Sequence, residues 1–134
     1  MLRASAGNND AKIQAAAWGA LGQAHLQLRQ YDEAAESYQN ALRLSPDNEM
    51  ALVGFGLASL AQEKSGEAVD ELAKAVKIDP SDVNFLLLAQ ALRQAGRQDD
   101  AERATAEARK ISPNLSQAQS AAGQLLSVAE LTNP

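Results

Sequence analysis

The sequence predicts an all-α protein, a solenoid of antiparallel helix hairpins, and three observations carry that prediction. Three segments end in step: AAESYQNALRLSP from Ala34 to Pro46, AVDELAKAVKIDP from Ala68 to Pro80, and AERATAEARKISP from Ala101 to Pro113, offset by 34 and then 33 residues. Each places apolar residues at helical spacing, as in Ala34, Tyr38, Ala41 and Leu42, or Ala68, Leu72, Ala75 and Val76. Each closes on an aliphatic residue, a polar residue and proline. Proline cannot continue a helix and biases its predecessor away from α geometry, so each segment is a helix with a hard stop.

Upstream of each lies a second helical segment: IQAAAWGALGQAHLQLRQ, EMALVGFGLASLAQEK and VNFLLLAQALRQAG. Short polar turns, QYDE, KSGE and GRQDD, join the members of each pair. Polar caps after the prolines, Asp47, Ser81 or Asp82, and Ser116, open the next helix. Seven helices are expected, near 11–28, 31–44, 48–62, 66–78, 82–95, 98–110 and 115–130. The third unit is one residue short, and the inter-repeat turn near Pro80–Val83 is the expected place of that deletion.

Composition agrees with this class and closes off others. Of 134 residues, 46% are hydrophobic, much of that alanine, and only 4% are aromatic. Alanine favours helix and adds little bulk. The net charge is −5, and acidic and basic groups are spread evenly along the chain, which argues against a nucleic-acid partner. The absence of cysteine removes disulfides and thiolate metal sites. No apolar run approaches the roughly 20 residues that cross a bilayer, so no membrane insertion is expected. The opening MLRASAGNND lacks an apolar h-region and is not read as a signal peptide. The expectation is a soluble protein whose compartment stays open, since a chain without cysteine fits cytoplasm and periplasm alike, with the cytoplasm favoured.

The repeating residues resemble the tetratricopeptide repeat, W-x2-L-G-x2-Y followed by Ala, an aromatic, Ala and Pro over 34 residues. The first unit matches through Trp18, Leu21, Gly22, His25, Ala34, Tyr38, Ala41 and Pro46. The second matches through Leu52, Phe55, Gly56, Ser59, Ala68, Leu72, Ala75 and Pro80. The third is weaker: Phe85, Leu88, Ala89, Leu92, Ala101, Thr105, Ala108 and Pro113. The resemblance implies a right-handed superhelical solenoid, because one hairpin cannot bury its apolar face alone. It also implies a layout: a flexible lead-in over 1–10, one domain over 11–130 with repeats near 15–48, 49–81 and 82–115, a capping helix over 116–130 and a tail over 131–134. Gly22, Gly56 and Ala89 are expected where paired helices approach closely.

The family lines a concave groove with the first helix of each pair. Carried onto this chain, that implies a peptide-binding groove of Gln23, Gln27, Met50, Val53, Leu57, Leu60, Leu86, Gln90 and Arg93. Family members that clamp an acidic C-terminus use Lys, Asn and Arg at places that here hold Gly19, Gln23, Val53, Leu57, Leu86 and Gln90. The expected ligand is therefore an apolar peptide or helix of a partner protein, anchored by aliphatic residues.

No catalytic, metal or cofactor constellation is expected. The one histidine, His25, has no acidic or histidine partner in helical register, and the serines have no His–Asp pairing. GFG at 54–56 lacks the lysine and the preceding strand of a phosphate loop. Trp18 and Phe85 read as core plugs. The function implied is a non-catalytic protein-interaction module. The alternative is structural self-association into a homo-oligomer through the solenoid ends, using Leu125, Leu126 and Val128 or Ile13 and Trp18.

Overall fold

The structure, a computed structural model, describes residues 2–129. Seven helices follow one another: α1 (Leu2–Gln27), α2 (Tyr31–Leu44), α3 (Glu49–Ala61), α4 (Ser65–Ile78), α5 (Asp82–Gln94), α6 (Gln98–Ile111) and α7 (Ser116–Leu126). No strand occurs among the described residues. The bounds of α2 to α6 fall within a residue of expectation. α1 differs: it begins at Leu2 rather than at 11, so residues 2–10, expected as a lead-in, are helical. No proline interrupts the chain before Pro46, and Ala4, Ala6 and Ala11 favour helix. α7 stops at Leu126 and continues as a turn to 129. The expected end of the last helix at 130 and the tail over 131–134 lie outside the described residues.

The hairpins α1–α2, α3–α4 and α5–α6 stack in order, α2 on α3 and α4 on α5. α1 also touches α3, and α3 touches α5, whereas no comparable contact joins α2 to α4 or α4 to α6. The odd-numbered helices are thus the closer row, and the stack bends toward them. The core follows the repeat: Ala34, Ala68 and Ala101 are fully buried, as are Leu72 and Leu87. Each such leucine contributes about 1.5–3 kcal/mol by leaving water. A Cβ built at Gly22 would stand 2.9 Å from the Tyr38 ring, and one at Gly56 would stand 2.7 Å from Leu72 Cγ. Both glycines sit where helices of one hairpin close on each other, as the sequence predicted.

Each hairpin turns in the same way. Arg29, Glu63 and Gly96 take φ of 61°, 57° and 79°. The residue after each donates its N–H back across the helix end, Gln30 to His25 O, Lys64 to Ser59 O and Arg97 to Leu92 O, all at 2.8 Å. That left-handed closure satisfies the last carbonyls of the first helix. The linkers between hairpins are 45–48, 79–81 and 112–115, so the missing residue does fall between Ile78 and Asp82.

The helix starts correct two expected caps. Asn48, not Asp47, caps α3 and accepts from Ala51 N at 3.1 Å. Ser81 caps α5, accepting from Asn84 N at 3.1 Å. α7 has Leu115 in the cap position rather than Ser116, and Asn114 Oδ1 accepts from Ser116 N at 2.9 Å. Polar contacts then tie one repeat to the next. The buried Asn84 amide donates to Glu49 Oε2 at 2.9 Å and to Asp79 O at 3.0 Å. Gln94 Nε2 donates to Leu60 O at 3.2 Å, and within the third repeat Ser112 Oγ donates to Asp82 Oδ2 at 2.7 Å.

Candidate functional site

The odd-numbered row presents α1, α3 and α5 side by side, and residues of α1 and α3 meet there in one hollow. Its volume is about 350 Å³, and it is walled by Gln23, Leu26 and Gln27 of α1, Met50, Val53, Gly54 and Leu57 of α3, and Tyr38 reaching in from α2. Most of these walls are apolar, the polar groups are glutamine amides and the Tyr38 phenol, and no charged side chain lines the hollow. The fourth wall comes from the far end of the chain: Gln124 and Leu125 of α7 and Val128 beyond it. The Tyr31 hydroxyl donates to Val128 O at 2.6 Å, joining residues 97 apart.

Of the nine residues expected to line a groove, the structure brings Gln23, Gln27, Met50, Val53 and Leu57 together here. Met50 is 57% exposed and so available to a ligand, while Leu57 forms a buried floor. The other four are not in this hollow. Leu60 and Leu86 are only 5% and 9% exposed and belong to the core cluster. Arg93 is turned toward α6, where its Nη2 donates to Thr105 Oγ1 at 3.3 Å, so its charge is not held over the groove. Gln90 is half-buried on α5.

Sequence reasoning missed Tyr38, Gly54 and the α7 wall. The cue for Tyr38 and Gly54 is their pairing: a methyl at Gly54 would overlap the Tyr38 ring, so the glycine admits the aromatic of the preceding repeat. Burial pushes the Tyr38 phenol up to about 12. Burial also raises Tyr31, against the opposing pull of the Arg29 cation. The cue for α7 was a helix ending in Leu125 and Leu126.

Other features carry less. A crease of about 400 Å³ lies between α2 and α4 on the outer row, over Leu42, Leu52 and Phe55. Its rim charges are in part already engaged, Lys74 with Glu71 at 3.5 Å. His25 Nδ1 pairs with Gln30 Oε1 at 2.6 Å, a local tie across the first turn. Among the described residues, no three His, Cys, Asp or Glu side chains gather as a metal site, and no helix is long and apolar enough to cross a membrane. Trp18 corrects an expectation: it is 37% exposed rather than a core plug, because among the described residues no helix stacks on the outer side of α1. It lies beside Gln14, Ala17 and Leu21.

Comparison with known proteins places the fold. A family model described as Tetratricopeptide repeat matches residues 13–83. Protein STIP1 homolog of Dictyostelium discoideum is 27% identical over 101 residues, which is 75% of this chain and 18% of that protein. The chain thus spans about a fifth of the length of the curated relative it matches. The Arabidopsis OM64 TPR domain superposes with a TM-score of 0.74 at 22% identity, covering 86% of this chain and 96% of that one. The TPR2B domain of yeast Sti1, solved in complex with pHsp70, superposes with a TM-score of 0.73 at 19% identity, covering 90% and 99%. At these identities the structural likeness shows the fold.

Proposed function

Because the chain belongs to the tetratricopeptide repeat family, we propose that it is a non-catalytic protein-interaction module that takes an apolar peptide or helix of a partner into its concave groove. One observation carries the reading: the hollow around Met50, Val53 and Leu57 is apolar, rimmed by glutamines and open enough to leave Met50 mostly exposed. Aliphatic anchors would displace water from those walls, and Gln23 and Gln27 would meet the peptide's polar groups. The complex of the yeast Sti1 domain with pHsp70 supports a peptide or protein as the class of partner. The absence of any cation in the hollow sets the ligand apart from an acidic tail, since carboxylates there would lose hydration without gaining a partner. The repeats near 15–48, 49–81 and 82–115 act in this reading as one binding unit.

The test uses surface residues, so that binding and folding separate. Helical peptides with leucine or isoleucine at i, i+3, i+4 and i+7 are arrayed and titrated against the chain. Met50→Glu with Gln27→Glu should weaken the best binder by tenfold or more, because two carboxylates would enter a desolvated centre. Melting should be unchanged, since both side chains are exposed. Asp70→Lys, exposed on α4, is the control and should bind as the parent does. Equal affinity for parent and double variant would remove the groove from the function.

A second reading has its own observation. Ile13, Trp18 and Leu21 of α1 are 66%, 37% and 44% exposed, an apolar strip on the open end of the stack. Two copies pairing through it would form a homodimer. Light scattering on the same samples decides: a mass that doubles with concentration, and reverts with Ile13→Glu, favours self-association.

A further inference from the structure

We propose that α7 and residues 127–129 are an intramolecular ligand of the concave groove, which a partner's helix must displace; the inference rests on the groove reading above. A helix that merely capped the solenoid would cover the open side of α6. α7 instead packs on α5, with no comparable contact to α6. The outer side of α6 keeps its own charge pairs, Arg97 and Arg103 with Asp100 and Lys110 with Glu107, and leaves Ile111 49% exposed. From α5 the chain runs across the groove to the first repeat, where Tyr31 holds Val128 O. On the way Gln124, Leu125 and Val128 stand opposite Gln23, Gln27, Met50, Val53 and Leu57, the same residues proposed to receive a partner.

The docking is built to be reversible. α7 carries no charged residue, so no ion pair of its own holds it. Its buried residues are Ala118 and Ala122, small side chains, while Leu126 is half-buried and Leu125 is 39% exposed. The hollow of about 350 Å³ remains beside it, so the fit is incomplete. A helix of eleven residues is too short to persist alone in water, so release couples to its unfolding. The occupant also describes the partner. It is an uncharged or weakly charged amphipathic helix with small residues on one turn and a Leu-Leu-x-Val cluster on the next, as in SQAQSAAGQLLSVA.

The experiment keeps the full chain. The protein lacks cysteine, so Glu33→Cys with Ser127→Cys takes two spin labels at exposed positions, two and one residues from the Tyr31–Val128 contact. The probe is a fluorescent peptide of residues 116–129. Without peptide, the labels should give one short distance, and saturating peptide should lengthen it. Val128→Asp and the milder Val128→Ala, which alter the intramolecular segment but not the probe, should each bind the probe more tightly than the parent, the first by about tenfold or more, which corresponds to a groove at least nine-tenths closed in the parent. Long distances in the free chain, or equal affinity of parent and variants, would overturn self-occupancy and leave the groove reading intact. A short distance only between labels on different chains would make α7 an exchanged arm and equally overturn the proposal. Probe binding with an unchanged short distance would place the probe elsewhere and refute both readings. No binding to either variant would make α7 a fixed part of the core and refute both as well.

Discussion

Tyr38 is the side chain on which the first two repeats close. It leaves α2, fills the space above Gly22, and meets Gly54 of the next hairpin, with 3% of its surface exposed. Gly54→Ala should therefore destabilise by about 1–3 kcal/mol, the usual cost of overpacking a filled core. Gly66→Ala, where a methyl would meet nothing within 4 Å, should stabilise by about 0.4–1 kcal/mol through the unfolded chain. Urea midpoints of the two variants moving the same way would contradict the packing. The phenol gives a second test. Its pKa rises from 10.0 to about 12, so between those values the folded state holds a proton that the unfolded state has lost. Stability is whole below pH 10 and falls as pH rises toward 12. Melting temperature should drop over that window in the parent, and less in Tyr38→Phe, which keeps the ring. Parallel alkaline curves would show that the hydroxyl is solvated in the folded state. The Tyr31 phenol shifts the same way but is present in both proteins.

At the scale of the element, the three hairpin turns use one backbone and two kinds of residue. Gly96 accepts a positive φ freely, whereas Arg29 and Glu63 adopt it against the clash of Cβ with the following carbonyl. Glu63→Gly should thus raise stability by up to about 1 kcal/mol, and Gly96→Ala should lower it by a similar amount. Chemical denaturation with an unchanged m-value checks both, and a loss of stability in Glu63→Gly would mean its side chain packs more than its exposure suggests. The turns were legible as turns, since QYDE and GRQDD break the apolar period. The left-handed residue was legible only where it was glycine. Arg29 and Glu63 carry no local mark, because stacking of the flanking helices imposes the geometry and overrides residue preference.

Across the whole molecule, what the sequence by itself determined was everything set by short-range periods. Apolar spacing defined the helices, Pro46, Pro80 and Pro113 stopped alternate ones, and the 34-residue step placed Ala34, Ala68 and Ala101 at contacts where the structure buries them completely. Even the 33-residue step led to the shortened 79–81 linker. Such features follow from neighbour-to-neighbour stacking, in which each repeat answers to the one beside it. The candidate groove was legible by half. Gln23, Gln27, Met50, Val53 and Leu57 share the hollow, but Leu60 and Leu86 are drawn into the core and Arg93 toward Thr105. Only the tertiary structure decided the course of α7. Its apolar residues fit two surfaces, the open side of α6 and the concave row, and local pattern is the same for both. The choice rests on contacts such as Tyr31 with Val128, 97 residues apart, and on the bend of the stack that brings the first repeat within reach of the last helix. A bend is a property of the assembled row and is written in no single repeat.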